Sequence, residues 1–280
     1  MRLLLIIVSL LFCLPIGAPA ALYTVTKVDD RLYAAIVDPV GPVASNAFII
    51  VTPTSVLVAG AHFTAAAAAE ITRIVAGITP LPLRSVILTH HHQGCRTIDF
   101  GFPPTVEIIT STQTWGKLKA EQQPLYNHIV AFDKELTING GKQTIMLRNM
   151  EQGHAEGNLV VYLPEQSVLF TSDLLFNNEA GFMADGSARG WVQDLLLLED
   201  LVVTNVVPGR GKVTDSGGLR RFRAFLQDFF TEVLGHLERG ESAPETVQGF
   251  RFPPEKNPLH FSGYQRKSIE WAWKELQKQR

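Results

Sequence analysis

Three consecutive histidines are the part of this sequence best equipped for chemistry. They stand near the end of the stretch SVILTHHHQGC, which covers residues 85–95. The apolar residues at its start predict a buried strand, because a continuous apolar run bounded by polar residues is typical of a strand covered on both faces. Side chains alternate along a strand and its extension, so we expect His90 and His92 to point one way and His91 the other. Two converging imidazoles supply two of the ligands that Zn²⁺ takes, although a solvated histidine cluster is the ordinary alternative.

Three further polar residues follow at the edges of strand-like segments downstream. His154 lies in the segment QGHAEGN at 152–158, where glycines on both sides allow a tight loop whose backbone can approach a ligand closely. Asp173 ends one predicted strand, and Arg210 ends the last predicted buried strand. Taken singly, the three are typical of a turn histidine, a helix cap and a surface charge. Their shared placement beside β-prone residues favours one common site.

The segments that must position these residues alternate between strand and helix patterns. Strands are predicted at 22–28, 32–37, 46–51, 56–58, 85–88, 106–110, 135–138, 144–147, 159–163, 168–171 and 202–207. Helices are predicted at 63–78, 112–132 with a break or kink at Pro124, 191–201, 219–237 and 265–278. Two sheets with helices outside both account for this order.

The first twenty residues have the three parts of a secretory signal. Arg2 gives a basic start, residues 3–14 are largely apolar, and Ala18-Pro19-Ala20 is a small-x-small cleavage site. This pattern predicts a cut before Ala21. An uncleaved anchor is the alternative, but the apolar run is too short to span a bilayer comfortably. We therefore expect an exported protein, periplasmic or secreted, with no stable membrane insertion after cleavage.

The charge balance limits which partners the protein can bind, and the cysteine count limits how the fold can be stabilised. Without residues 1–20 the chain has 24 basic and 27 acidic residues, a formal charge of −3. This argues against nucleic acid as a partner, since binding phosphates requires a clustered basic face. Cys13 lies in the predicted signal, so Cys95 remains alone and cannot form an intramolecular disulfide. The fold must be held by its core, for which a hydrophobic content of 46% is ordinary.

The order of these motifs resembles the signature of the metallo-β-lactamase superfamily over nearly all of the mature chain. That signature reads Thr-His-x-His-x-Asp-His, then Gly-His-x-x-Gly-Asn, then an Asp at a strand end, then Pro-Gly-His-Gly. The resemblance implies an α/β fold, an αββα sandwich of two mixed β-sheets flanked by helices, with one or two metals at the edge between the sheets. It implies a single domain at 21–280 after a signal at 1–20, with a C-terminal helical extension from about 218 to 280.

The resemblance also implies an activity, the water-splitting hydrolysis of esters, thioesters, lactams or phosphates. The segment from Asp173 to Phe176, with Asp185-Gly186-Ser187 and Trp191, looks most like exported zinc hydrolases associated with quinoprotein and sulfur-oxidation systems.

Carried over residue by residue, the resemblance implies a complete first metal site. His90, His92 and His154 match the three imidazoles of the first zinc, and Asp173 matches the carboxylate that bridges two metals in glyoxalase-like members. Three histidines plus water form an open four-coordinate zinc site, in which the pKa of the water can fall to about 7. We therefore expect one zinc per chain.

The side chains specific to the second metal are replaced. The family's Asp is Gly94, its following His is Cys95, and its last His is Arg210. A permanent cation at Arg210 repels a second metal, so we predict that Arg210 occupies that space and pairs with Asp173. Alternatively, it holds a substrate carboxylate or an oxyanion. Cys95 could be a zinc ligand through its thiolate, or a small buried residue in the place of an imidazole.

Two functions of different classes follow. The first is a mononuclear zinc hydrolase of a small-molecule substrate, in which activated water attacks an ester, thioester or amide-type carbonyl. Asp173 would then orient the water or relay a proton, with Arg210 as the second catalytic candidate. The second is a catalytically silent protein that binds a small ligand or a partner, because Gly94 removes the Asp to which the resemblance assigns orientation of the attacking hydroxide. A nuclease is disfavoured by the export signal and the lack of basic clusters.

Overall fold

The first sheet has seven strands, and its second half carries the histidine run. The computed structural model describes residues 21–94, 98, 101–121, 126–150, 152–179, 181–183, 185–252 and 264–279 of the 280-residue chain. In spatial order the strands are β1 (Tyr23–Asp29), β2 (Leu32–Val37), β3 (Ala47–Val51), β4 (Val56–Gly60), β5 (Leu83–Leu88), β6 (Glu107–Ser111) and β7 (Ile129–Phe132). Strands β1 to β4 pair antiparallel, whereas β4 to β7 pair parallel.

The second sheet has five strands. They are β8 (Glu135–Gly140), β9 (Gln143–Asn149), β10 (Leu159–Leu163), β11 (Val168–Asn177) and β12 (Asn205–Gly211), in the spatial order β12-β11-β10-β9-β8. Only β11 and β12 pair parallel. The predicted hairpin at Asn139-Gly140-Gly141 joins β8 to β9, and Gly141 has a φ of 73°, a left-handed value that glycine adopts without strain.

Six helices of the described ranges flank the sheets. They are α1 (Ala65–Ile78), α2 (Thr112–Ala120), α3 (Ala188–Glu199), α4 (Ser216–Glu238), α5 (Ala243–Gly249) and α6 (Gln265–Lys278). Several start at a side-chain cap that satisfies a free backbone N–H, for example Thr64 at α1 and Ser187 at α3. In the described part of the chain, no helix is both long enough and apolar enough to cross a membrane.

Three layers of apolar side chains hold these elements together. Between the sheets, the apolar residues of both inner faces interdigitate, with the rings of Phe48 and Phe170 stacked 5.6 Å apart. Helix α1, with Trp115 and Leu118 of α2, covers the outer face of the first sheet, and α3, α4 and α6 cover the second. This order of layers confirms the predicted αββα sandwich of two mixed sheets.

Two segments differ from their predicted structure. Residues 112–132 do not form one helix, because α2 ends at Ala120 and Ile129–Phe132 pairs with β6 as the edge strand β7. The β-prone residues of that strand gain hydrogen bonds to β6 and are partly buried over the core. These gains stabilise the strand more than a weak helix propensity stabilises a helix. Pro124, the predicted kink, lies outside the described residues. Helix α5 was not predicted, although Ser242 and Glu245 form its capping box and mark its start in the sequence.

Candidate metal centre

Three imidazoles converge where the two sheets meet. His90, His92 and His154 each place one ring nitrogen within 4.8 Å of the others. Their rings stand edge to face, with centroids 4.8 to 4.9 Å apart. His92 Nε2 lies 2.9 Å from His154 Nε2, so two ring nitrogens face each other directly. The first and second sheets therefore both contribute to one nitrogen-lined point.

The end of β5 is tied to both sheets, which fixes the direction of the histidines. Thr89 donates its N–H to Gly60 O at the end of β4, and its carbonyl accepts a hydrogen bond from Leu159 N at the start of β10. His91, the middle histidine, contacts Glu121 through Nε2 at 2.9 Å. The alternation expected along the extended strand is present, since His90 and His92 share one cluster and His91 is held by another partner.

Burial keeps the converging rings neutral. The pKa values of His90 and His154 are held well below the usual range, chiefly because burial disfavours the charged form, and then because neighbouring imidazoles and Lys117 are close. A neutral imidazole keeps one nitrogen lone pair for a metal, whereas a protonated ring has none. The two buried rings are thus in the form that a metal needs.

Asp173 places a carboxylate beside the same nitrogens. Its Oδ2 lies 3.8 Å from His90 Nε2 and 3.8 Å from His154 Nε2, and it accepts a hydrogen bond from Ser45 Oγ at 2.9 Å. Burial raises the pKa of Asp173 to about 6, against the hydrogen bond from Ser45 and nearby positive groups. Gly209 is needed next to it, because a Cβ there would collide with Asp173 Oδ1.

Hydroxyl and carboxylate groups orient the rings from behind. Asp185 Oδ2 lies 3.0 Å from His92 Nδ1, so a proton on Nδ1 leaves Nε2 as the free lone-pair donor. Lys117 Nζ is 4.0 Å from the same carboxylate oxygen. Thr89 Oγ1 lies 3.3 Å from His90 Nδ1 and 2.7 Å from the hydroxyl of Ser172. Ser172 has a φ of 50°, a left-handed conformation that is uncommon outside glycine and clusters at functional sites.

These supporting groups were not found by sequence reasoning. Asp185 stands in the Asp-Gly-Ser motif of the resemblance, and Ser45 stands in no motif. Since Ser45 is 128 residues from Asp173 along the chain, only the folded topology brings the two together.

The donor set fits Zn²⁺. Three imidazoles with an open side match the ligand set of a catalytic zinc site. One carboxylate oxygen, Asp173 Oδ1, is buried without a hydrogen-bond partner among the described residues, while Oδ2 of the same group faces two of the ring nitrogens.

Arg210 does not make the predicted pair with Asp173. In the described part of the chain no ion pair within 4 Å joins them. Its Nη1 instead donates to Ala44 O at 2.6 Å, and its Nη2 to Pro39 O at 3.3 Å. The guanidinium therefore bonds to backbone carbonyls of the connection between β2 and β3, because their oxygens lie closer to its donors than the carboxylate does. Its charge still acts on Asp173 through space.

The other two substituted positions, Gly94 and Cys95, show no side chain at the centre in the described part of the chain. Cys95, the candidate thiolate ligand, lies outside the described residues. Gly94 is exposed in a turn with a φ of 79° and nothing within 4 Å of the place of a Cβ. At this position the chain therefore offers the centre no side chain.

A small cavity opens onto the histidine run, residues 90–92. Its volume is about 170 Å³. Besides the histidines and Asp173, its walls include Ser45, His62, Phe182 and Tyr264. The ring of Phe182 lies 5.0 Å from that of His92, so an aromatic wall stands next to the candidate ligands.

Comparison with known proteins gives consistent matches. A sequence model of the family described as the Metallo-beta-lactamase superfamily matches residues 102–210, a range that includes His154, Asp173 and Arg210 but begins after the histidine run. The chain is 23% identical over 233 residues to Metallo-beta-lactamase type 2 of Bacteroides fragilis, covering 78% of this chain and 92% of that relative.

Solved structures with a similar fold include a metallo-beta-lactamase from Pontibacter korlensis. It aligns with a TM-score of 0.63 at 21% identity, covering 73% of this chain and 99% of that one. The DIM-1 metallo-beta-lactamase aligns with a TM-score of 0.62 at 17% identity, covering 74% and 97% of the two chains. At this level of identity the likeness is one of fold.

Proposed function

We propose that the chain is a hydrolase of the metallo-β-lactamase superfamily, with one zinc ion held by His90, His92 and His154. The observation that carries the proposal is the convergence of three imidazole nitrogens at one point, two of them on buried rings kept neutral. When bound, zinc supplies a Lewis acid that polarises a carbonyl and lowers the pKa of water to about 7.

The chain's own residues supply the rest of the chemistry. Asp173 is the group best placed to orient a water and hold its proton, because its Oδ2 is 3.8 Å from two of the candidate ligand nitrogens. Ser45 fixes this carboxylate by hydrogen bonding to the same oxygen at 2.9 Å. Asp185 keeps the His92 ring in the orientation that directs Nε2 to the centre.

The cavity supports a small carbonyl compound as the substrate. Its volume of about 170 Å³ is below the roughly 300–1,000 Å³ typical of sites for drug-sized ligands. Phe182 and Tyr264 give it an aromatic side, which suits a short acyl group or leaving group of an ester, thioester or amide.

A catalytically silent binding protein is the second candidate. The observation that favours it is Gly94, which stands exposed and without a side chain where the resemblance places the Asp that orients the attacking hydroxide. Under this alternative the same cavity holds a small ligand without turning it over.

We also propose that the chain is exported and cut before Ala21. The support is the basic, apolar and small-x-small order of residues 1–20. Expression of the full sequence in a bacterium, followed by intact mass measurement of the periplasmic fraction, tests this. We expect the mass of residues 21–280, and an Ala20→Leu control should slow the cut. A full-length mass in that fraction would contradict it.

Metal content of the purified protein tests the main proposal. We expect about one zinc per chain after zinc-replete purification, and less than a tenth of that in His92→Ala, because the variant loses one of three ligands. His128→Ala is the matched control, since His128 is exposed on the protein surface beside Glu107 and away from the centre. It should keep its zinc.

Turnover then separates the two candidate functions. The wild-type protein and both variants are assayed on short esters, thioesters, amides and lactams. Turnover that falls with zinc in His92→Ala supports the hydrolase. Full zinc occupancy without turnover on any substrate supports the silent binding protein, and absence of zinc under replete conditions would contradict the hydrolase.

A further inference from the structure

Arg210 is a buried cation whose donors go mainly to backbone. It lies in β12 with 8% of its surface exposed. Its two bonded nitrogens donate to the carbonyls of Ala44 and Pro39, and its Nε is buried without a hydrogen-bond partner among the described residues. Burying a charge costs free energy unless other groups compensate it. A buried guanidinium at this place therefore needs a structural or functional explanation.

The carbonyls belong to residues 38–46, which connect β2 to β3 and are called here the 38–46 segment. The segment has no strand partner in the described chain, and Val40 near its start is 93% exposed. Val43 packs in the core of the first sheet, and specific hydrogen bonds hold the rest of the segment. Two are made within it, from Gly41 N to Asp38 O at 2.9 Å and from Val40 N to Asp38 Oδ1 at 3.1 Å.

The carboxyl end of the segment is bonded to the second sheet. Asn46 N donates to Gly209 O at 2.7 Å, and Asn46 Nδ2 donates to the carbonyls of Pro208 and Gly211, both at 2.9 Å. Arg210, between these residues, adds the two bonds to Ala44 and Pro39. The side chain of Arg210 thus extends the attachment from Asn46 back to Pro39.

The same segment forms a wall of the metal-centre cavity. Ala44 and Ser45 line it. Ser45 Oγ donates to Asp173 Oδ2, and Ala44 N donates to His62 Nδ1 at 2.8 Å. A shift of this segment would therefore move the hydroxyl that fixes Asp173.

We propose that Arg210 is a positioning residue in the place of a second metal: its guanidinium fastens the 38–46 segment to the end of β12 and holds a fixed positive charge at Ala44, next to the Ser45 that bonds to Asp173. The fastening stands on the hydrogen bonds alone. The role of the positive charge rests on the proposed zinc centre, because that charge is our reason for expecting one zinc ion there and not two. Guanidinium suits both roles, since it offers donors in a rigid fork and stays charged at any working pH, whereas lysine offers one flexible ammonium.

Amide hydrogen exchange of the metal-free protein tests the fastening. In Arg210→Met and in Arg210→Lys we expect the amides of Ala44 and of its neighbours in the 38–46 segment to exchange at least about tenfold faster. Arg148→Met is the matched control, because Arg148 is exposed on β9 and pairs with Glu135. In Arg148→Met, the amides of the 38–46 segment should exchange at the wild-type rate. Unchanged exchange in both Arg210 variants would overturn the fastening.

Zinc stoichiometry tests the charge. Wild type and Arg210→Lys both keep a cation and should bind one zinc, although the lysine variant has lost its fastening. Arg210→His removes the fixed charge and adds an imidazole, so its zinc content at saturation should rise above that of the wild type. An Arg210→His variant that still binds only one zinc ion per chain would overturn the proposed role of the charge. A wild-type protein that binds no zinc would contradict the proposed function and leave the exchange result standing.

Discussion

Asp185 decides which nitrogen of the His92 ring faces the centre. The carboxylate lies 3.0 Å from Nδ1, while Nε2 faces His154 at 2.9 Å. Removing such a partner of a ligand histidine commonly costs 10- to 100-fold in metal affinity, because the ring loses its fixed tautomer and orientation. A single carboxylate outside the candidate ligand set therefore tunes the whole centre.

We predict that Asp185→Ala weakens zinc binding by about 10- to 100-fold without unfolding the protein. Competition against a fluorescent chelator measures the dissociation constant, and circular dichroism checks the fold. Glu156→Ala is the matched control, since Glu156 is an exposed carboxylate near the same lysine, Lys117, at 3.9 Å. Equal zinc affinity in the Asp185 variant and its control would contradict this role of Asp185.

At the residue scale, the sequence alone leads to the histidines but not to their supports. His90 and His92 are visible because they are two apart after an apolar run, and His154 because glycines surround it. Ser45, Asp185 and Ser172 reach the centre only through folding, from three separate segments. The predicted pair of Arg210 with Asp173 was wrong because backbone carbonyls compete for the same donors, and sequence does not show where those carbonyls lie.

Helix α3 links the metal centre to the outer core. Its Trp191 is fully buried, and its ring lies 4.9 Å from that of His154 and 6.4 Å from that of Trp271 in α6. Trp191 Nε1 donates to Leu174 O in β11 at 2.9 Å. Helix α3 therefore connects the second sheet and the terminal helix α6 to one candidate ligand, His154.

We predict that Trp191→Phe lowers the free energy of unfolding by about 1–3 kcal/mol, because the Leu174 carbonyl loses its buried donor and a smaller ring leaves space. Urea denaturation followed by far-ultraviolet circular dichroism measures it. Leu196→Ala on the same helix is the control, since Leu196 is 52% exposed and should change stability by less than about 0.5 kcal/mol. Equal stability of the two variants would contradict the role of Trp191.

At the element scale, local pattern predicted most strands and the long helices. Helix α6 has the predicted bounds, 265–278, because its charged face and apolar stripe alternate cleanly. Strand β12 starts at Asn205 rather than at residue 202, since Val202 is exposed and outside the ladder. Strand β7 was missed because four residues paired at a sheet edge carry too little pattern to outweigh the helical residues before them.

At the scale of the whole molecule, the candidate ligands come from both halves of the sandwich. His90 and His92 follow β5 of the first sheet, whereas His154 precedes β10 and Asp173 lies in β11 of the second. The fold class follows from the alternation of strand and helix patterns, but the meeting of the two sheets at this edge is a property of the packed molecule. No single segment contains a complete donor set.

An ion held there acts as a removable cross-link between the two sheets. The unfolded chain has no such arrangement, so every bound ion favours the folded state by mass action. At free zinc about 100 times the dissociation constant, the gain is about 2.7 kcal/mol, which raises the melting temperature of a chain this size by about 5–10 °C. Calorimetry across a zinc series should show the midpoint climbing with the logarithm of concentration, and His92→Ala should melt at one temperature throughout. The heat tolerance of this protein would then be set by the metal supply of its compartment.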